Sequence, residues 1–155
     1  MDKGYIAPEP ALRKLRAANG LGQTVYIYGA TGYGKTELVK QYLSKRRYRY
    51  ISSAEDAAGL LDVAAQGGRK GKGAETRTVV VVDDLHLLKD QEGRRAVLSL
   101  IKREDVWPIL ICRSPIPVWL MPPYVGGGLL VITEDDLRLK EKEIVAYMES
   151  QGLNI

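Results

Sequence analysis

Gly29-Ala30-Thr31-Gly32-Tyr33-Gly34-Lys35-Thr36 is the stretch that decides how this 155-residue chain is read. It fits the pattern G-x-x-x-x-G-K-[ST] in full. Glycines let a backbone bend tightly enough for its N–H groups to wrap a phosphate, because no Cβ stands in the way. The residues before it, Thr24-Val25-Tyr26-Ile27-Tyr28, are β-branched and aromatic and read as a strand. Those after it, Lys35–Lys45, place Leu38, Val39, Tyr42 and Leu43 at helical spacing. Strand, glycine loop and helix together give the pattern its meaning, since the helix N-terminus aims free amides and a positive dipole end at an anion. The phosphate-cradling set is then Gly29, Ala30, Thr31, Gly32, Tyr33, Gly34, Lys35 and Thr36. In it, Lys35 supplies a point charge to the outer phosphates, and the Thr36 hydroxyl serves Mg²⁺.

Working outward, the same alternation continues. Tyr5–Ala18 reads as a lead-in loop and a short helix with Leu12, Leu15 and Ala18 on one face, ended by Gly20-Leu21-Gly22. Downstream, strands are expected at Arg47–Ile51, Thr78–Val82, Trp107–Cys112 and Leu129–Ile132. Helices are expected at Ala54–Ala65 and Gln91–Arg103, with a closing helix at Leu139–Gln151 carrying Ile144, Tyr147 and Met148 on one face. Gln66–Thr76, with its Gly-Gly-Arg-Lys-Gly-Lys-Gly centre, reads as a mobile surface loop. Pro115, Pro117, Pro122 and Pro123 mark an irregular connection with one turn near Val118–Met121. Thr78–Val82 and Trp107–Cys112 are apolar on both faces, as strands buried inside a parallel sheet are. The expectation is an α/β layered domain with a mainly parallel sheet. It is one domain over 1–155, with 1–23 as lead-in and 24–155 as core.

Two strand ends carry chemistry. Val79-Val80-Val81-Val82-Asp83-Asp84 runs from four valines into two acids. Ligands of parallel α/β sheets sit at the carboxyl ends of strands, so both acids fall on the edge that holds the glycine loop. Asp83 suits Mg²⁺, mostly through water, and Asp84 suits the positioning of an attacking water. Ile109-Leu110-Ile111-Cys112-Arg113-Ser114 ends a second buried strand in Arg113, whose planar fork matches phosphate oxygens and can report a γ-phosphate. The candidate catalytic residues are Lys35, Asp84 and Arg113; the metal pair is Thr36 and Asp83. His86, a lone histidine near this edge, reads as structural, and Cys112 as a small hydrophobe.

Composition narrows the remainder. One cysteine excludes a disulfide framework, and one histidine excludes paired-histidine metal motifs. No apolar run is long enough to span a bilayer, and Met1-Asp2-Lys3-Gly4-Tyr5 lacks the apolar core of a secretory signal, which leads to the expectation of a cytoplasmic location and no membrane partner. A net charge of +4 is mild. The basic runs Lys45-Arg46-Arg47-Tyr48-Arg49 and Arg69-Lys70-Gly71-Lys72 lack a groove-entering or stacking element, so no direct nucleic-acid binding is expected. Phenylalanine is absent and tyrosine numbers nine; tyrosine is expected to fill positions at the core edge with its hydroxyl in water.

The chain resembles STAND-class ATPases, and among them the large ATP-binding transcription regulators of the maltose-regulator, LuxR-tailed type. Ala30-Thr31-Gly32-Tyr33-Gly34-Lys35-Thr36 is similar to their phosphate loop (Walker A). Val82-Asp83-Asp84-Leu85-His86-Leu87-Leu88 is similar to their acidic strand end (Walker B). Cys112-Arg113-Ser114-Pro115, Leu129-Leu130-Val131-Ile132, Asp136-Leu137-Arg138-Leu139 and Glu143 extend the likeness in order. The resemblance implies a three-layer αβα P-loop NTPase of the ASCE, AAA+-like kind, with a five-stranded sheet of order 5-1-4-3-2. It implies ATP or ADP with Mg²⁺ as a slow switch, and places Tyr5 and Ile6 near adenine. Lys140 departs from it, standing where a helix-capping Ser or Thr is usual. Family members continue into helical, winged-helix, sensor and output regions, so further domains of the same polypeptide, absent from these 155 residues, are expected partners, with nucleotide-dependent self-association another.

Two other readings remain open on the sequence alone. A small-molecule P-loop kinase would need an acceptor pocket and a lid, for which Gln66–Thr76 is poorly placed. A nucleotide-sensing oligomerisation module would share every feature above except turnover.

Overall fold

A computed structural model of the chain describes residues 7–30, 34–53, 57–66, 77–139 and 141–152. The helices are α1 (Glu9–Leu21), α2 (Lys35–Tyr42), α3 (Ala57–Ala65), α4 (Gln91–Lys102), α5 (Met121–Val125), α6 (Glu134–Leu137) and α7 (Glu141–Ser150). The strands are β1 (Thr24–Tyr28), β2 (Tyr48–Ser52), β3 (Thr78–Asp83), β4 (Val106–Cys112) and β5 (Leu129–Ile132). They form one sheet in the order β2-β3-β4-β1-β5, every pair parallel. This is the expected order 5-1-4-3-2 read from the other edge.

The apolar runs explain the order. All seven residues of β4 are buried, as are Val79 to Val82 of β3, so both lie inside the sheet with helices over each face. Successive side chains alternate between two cores, as a period of two requires. Val25, Ile27, Val79, Val81, Trp107, Ile109 and Ile111 meet α1, α2 and α6 through Leu15, Leu38, Val39 and Leu137. Tyr26, Val80, Val82 and Leu110 meet α3 and α4 through Leu60, Val63, Val97 and Leu100 on the other face. Pro108 has no N–H to give a ladder, and it stands before the β1–β4 pairing, which begins at Val25 opposite Ile109.

Several boundaries differ from expectation. Helix α2 ends at Tyr42 rather than Lys45, with Leu43 turning into the core as its C-cap. Strand β2 runs one residue later than predicted, to Ser52, because it pairs with β3 out to Ser52 opposite Asp83. The expected turn near Val118–Met121 is a single 3₁₀ turn that leads into helix α5. The closing helix does not start at Leu139. Thr133 and Asp136 form a reciprocal capping box that starts the short α6, and α7 begins separately at Glu141. On α7, Ile144 is exposed and Met148 half-buried, so the expected apolar face is only partly covered. Lys140, and the Gln66–Thr76 segment beyond Gln66, lie outside the described residues.

The lead-in helix α1 is fastened to β5 and to the two helices after it. Gly22, in the left-handed conformation at φ 68°, closes α1 by donating to Asn19 and Ala18 carbonyls. The Lys14 ammonium donates to the Val131 carbonyl at 3.0 Å and pairs with Asp136 at 2.7 Å. At the start of α1, the Glu9 amide donates to Glu143 of α7 at 2.9 Å.

Candidate functional site

Five parallel strands deliver five carboxyl ends to one edge, and each carries a polar group there. After β1, the chain leaves Tyr28 into Gly29 and Ala30, and resumes at Gly34, which enters α2 in the left-handed region at φ 72°. A side chain at Gly34 would bear the steric cost that glycine avoids. Gly29 is held by a neighbour instead: an added Cβ would lie 2.9 Å from Cγ of Glu134. That Glu134, at the start of α6, accepts a hydrogen bond from the Ala30 amide at 2.9 Å. Thr31, Gly32 and Tyr33 of the glycine loop, and Tyr5 and Ile6 of the lead-in, lie outside the described residues.

Lys35 is buried at the first position of α2. Its ammonium donates to the Gly29 carbonyl and, at 3.0 Å, to the Ala30 carbonyl. Burial lowers its pKa, and the nearby Arg113 guanidinium lowers it further, against the opposing pull of Asp83 and Glu134. Lys35 and Arg113 thus stand close enough at one edge to disfavour each other's charge, a repulsion that an arriving anion would relieve.

Thr36 Oγ1 donates to Asp83 Oδ2 at 2.9 Å, so the helix and the third strand meet at a hydroxyl–carboxylate pair. Asp83 is buried and held on both oxygens: Tyr50, from β2, also donates its hydroxyl to Oδ2, and the Asp84 amide donates to Oδ1 at 2.8 Å. Asp84 stands in the left-handed region at φ 54°, the single described residue other than glycine with positive φ. Its Oδ2 accepts from Ser52 Oγ at 3.1 Å. Backbone outliers of this kind cluster at sites where a side chain must be aimed.

Gly34, Lys35, Thr36, Asp83, Asp84 and Arg113 surround a cleft of about 380 Å³, with Glu37 and His86 also on its wall. The structure therefore gathers into one cleft the described candidates Gly34, Lys35, Thr36, Asp83, Asp84 and Arg113, with Gly29 and Ala30 tied to Lys35 beside it. His86 reads as structural in the sequence, yet it borders the cleft, and its buried Nδ1 has no hydrogen-bond partner among the described residues. Sequence reasoning also missed Tyr50, Ser52 and Glu134. A sequence signal near the last of these, which that reasoning also missed, is the capping pattern Thr133-x-x-Asp136. Of the basic run, Arg46 lies over the Trp107 ring at 5.7 Å and donates to Asn19 Oδ1 at 2.8 Å, which ties it into the fold.

The donor set fits a divalent cation. A hydroxyl and a carboxylate are hard oxygen donors of the kind Mg²⁺ takes, and Mg²⁺ is usually held by one or two protein oxygens together with water and phosphate. No group of three or more His, Cys, Asp or Glu converges among the described residues, so Thr36 and Asp83 would share such an ion with other donors. No described helix is long and apolar enough to cross a membrane.

No family model matches the chain, and no curated protein matches it. Among solved structures, it is similar to the P-loop NTPase domain of a sigma-54 transport activator from E. coli, at 20% identity and a TM-score of 0.48, over 78% of this chain and 90% of that one. The parallel order β2-β3-β4-β1-β5, with the glycine loop joining β1 to α2, makes this a P-loop NTPase fold.

Proposed function

We propose that the chain is an ATP/ADP-binding switch with slow Mg²⁺-dependent hydrolysis, the nucleotide-binding part of a STAND-class regulator. The observation that carries this reading is the contact between Thr36 and Asp83 beside the buried Lys35, at the mouth of a cleft walled by a second acid and an arginine. Lys35 meets β- and γ-phosphate oxygens, and the amides of Gly32, Gly34 and their neighbours in the loop cradle them. Thr36 and Asp83 hold Mg²⁺, which when bound neutralises phosphate charge. Asp84, aimed by its backbone and by Ser52, positions water against the γ-phosphate. Arg113, exposed at the end of β4, distinguishes triphosphate from diphosphate. The STAND assignment draws on the residues that resemble that class, the Asp83-Asp84-x-His86 run above all.

Single-turnover phosphate release tests the catalytic part. Asp84→Asn keeps a hydrogen-bonding side chain but removes the carboxylate, so release should slow by about a hundred-fold or more while ATP binding holds. Release at the parent rate would reduce Asp84 to a structural residue.

A further inference from the structure

The carboxylate of Asp83 is held from two sides, and the second side has no place in the roles above. Thr36 approaches it from α2. Tyr50 approaches from β2, two strand positions before Ser52, which stands opposite Asp83 in the sheet. Both hydroxyls donate to the same oxygen, Oδ2, and the Asp84 amide donates to Oδ1. A carboxylate oxygen offers two lone pairs, so Oδ2 is saturated and Oδ1 keeps one site. Asp83 can therefore face the cleft only through its remaining Oδ1 lone pair, by one direct bond or one water. The Tyr50 ring also meets α2, with the Lys40 ammonium 5.2 Å from its centre.

We infer that Tyr50 is a positioning residue for the divalent cation: its hydroxyl locks the plane of the Asp83 carboxylate and leaves a single oxygen directed at the metal. This rests on the reading of Thr36 and Asp83 as the Mg²⁺ pair. Groups that orient metal ligands from behind typically cost 10- to 100-fold in metal affinity when lost. Tyr50→Phe removes only the hydroxyl and leaves the ring beneath Lys40.

The test is calorimetric titration with a non-hydrolysable ATP analogue, in chelator and in saturating Mg²⁺, for the parent and for Tyr50→Phe. The parent should bind more tightly with Mg²⁺. In Tyr50→Phe the metal-free affinity should be unchanged, and the gain from Mg²⁺ should shrink by about ten-fold. The free variant should melt near the parent. An equal or larger gain from Mg²⁺ overturns the inference. So does an equal loss of affinity with and without metal, or a much lower melting temperature, because either would mark Tyr50 as a structural residue. A parent that binds the analogue without any Mg²⁺ effect overturns the role of Tyr50 while leaving the phosphate site standing. A parent that binds nothing overturns both.

Discussion

Asp84 shows what a single residue contributes. Its left-handed backbone turns the chain sharply after β3, and the Asp83 carboxylate takes the Asp84 amide as part of that turn. Aspartate tolerates this conformation better than most residues but still bears a steric cost that glycine does not. Asp84→Gly and Asp84→Ala both lose the Ser52 contact, so their difference isolates the backbone. The glycine variant should be more stable than the alanine variant by about 1 kcal/mol, read by denaturant unfolding. Equal stability would mean that the turn relaxes without strain. None of this is legible in the sequence, where Asp84 is one acid after another. Tyr26 makes a related point. Composition places tyrosine at core edges, yet Tyr26 is fully buried on β1, and its hydroxyl reaches the Ser114 carbonyl at 2.8 Å. Burial raises its pKa far above the usual phenol range, so it stays neutral.

At the scale of elements, β1, β3, β4 and β5 are readable because four or more consecutive apolar residues leave few alternatives to a buried strand, whereas β2, Tyr48-Arg49-Tyr50-Ile51-Ser52, is read from its aromatic residues and Ile51. Their ends are less readable, since β2 stops where β3 stops pairing with it and not where its own pattern fades. The closing region departs from its sequence reading for a physical reason. A Thr-x-x-Asp capping box starts a helix wherever it falls, and here it falls right after β5, ahead of the apolar spacing of α7. That early start matters to the site, because it places Glu134 over Gly29 and against the Ala30 amide. The Lys14–Asp136 pair fixes the same turn from α1. Burial alone would raise the Asp136 pKa, but Lys14 and the Thr133 amide and hydroxyl outweigh it and hold the carboxyl below its usual range. Glu134 is thus an acceptor that shapes the entry to the phosphate loop. Glu134→Ala should weaken nucleotide binding about ten-fold, roughly one lost charge-assisted hydrogen bond. Glu134→Gln, which keeps an acceptor and removes a negative charge from the phosphate side, should bind at least as well as the parent. Calorimetry that found both variants equally weak would assign the effect to charge and not to the hydrogen bond.

For the whole molecule, parallel strands are what turn scattered residues into a site. Because every strand points the same way, Lys35, Ser52, Asp83, Arg113 and Glu134 converge on one edge although they are distant in sequence. The loop and the acidic strand end are legible in the sequence as motifs. The hydroxyls of Tyr50 and Ser52 are not, because nothing in β2 alone says that β3 will lie beside it in that register. The edge sets Lys35 and Arg113 beside the Thr36–Asp83 pair, with Lys35 desolvated among them. Above all, this edge should bind a nucleoside triphosphate with Mg²⁺ through Lys35. Calorimetry of ATP·Mg²⁺ with the parent and with Lys35→Ala tests that most directly. Lysine contacts to two phosphates in a desolvated site predict a loss of at least about 2–3 kcal/mol, some hundred-fold in affinity. Parent-like binding by Lys35→Ala would contradict the account.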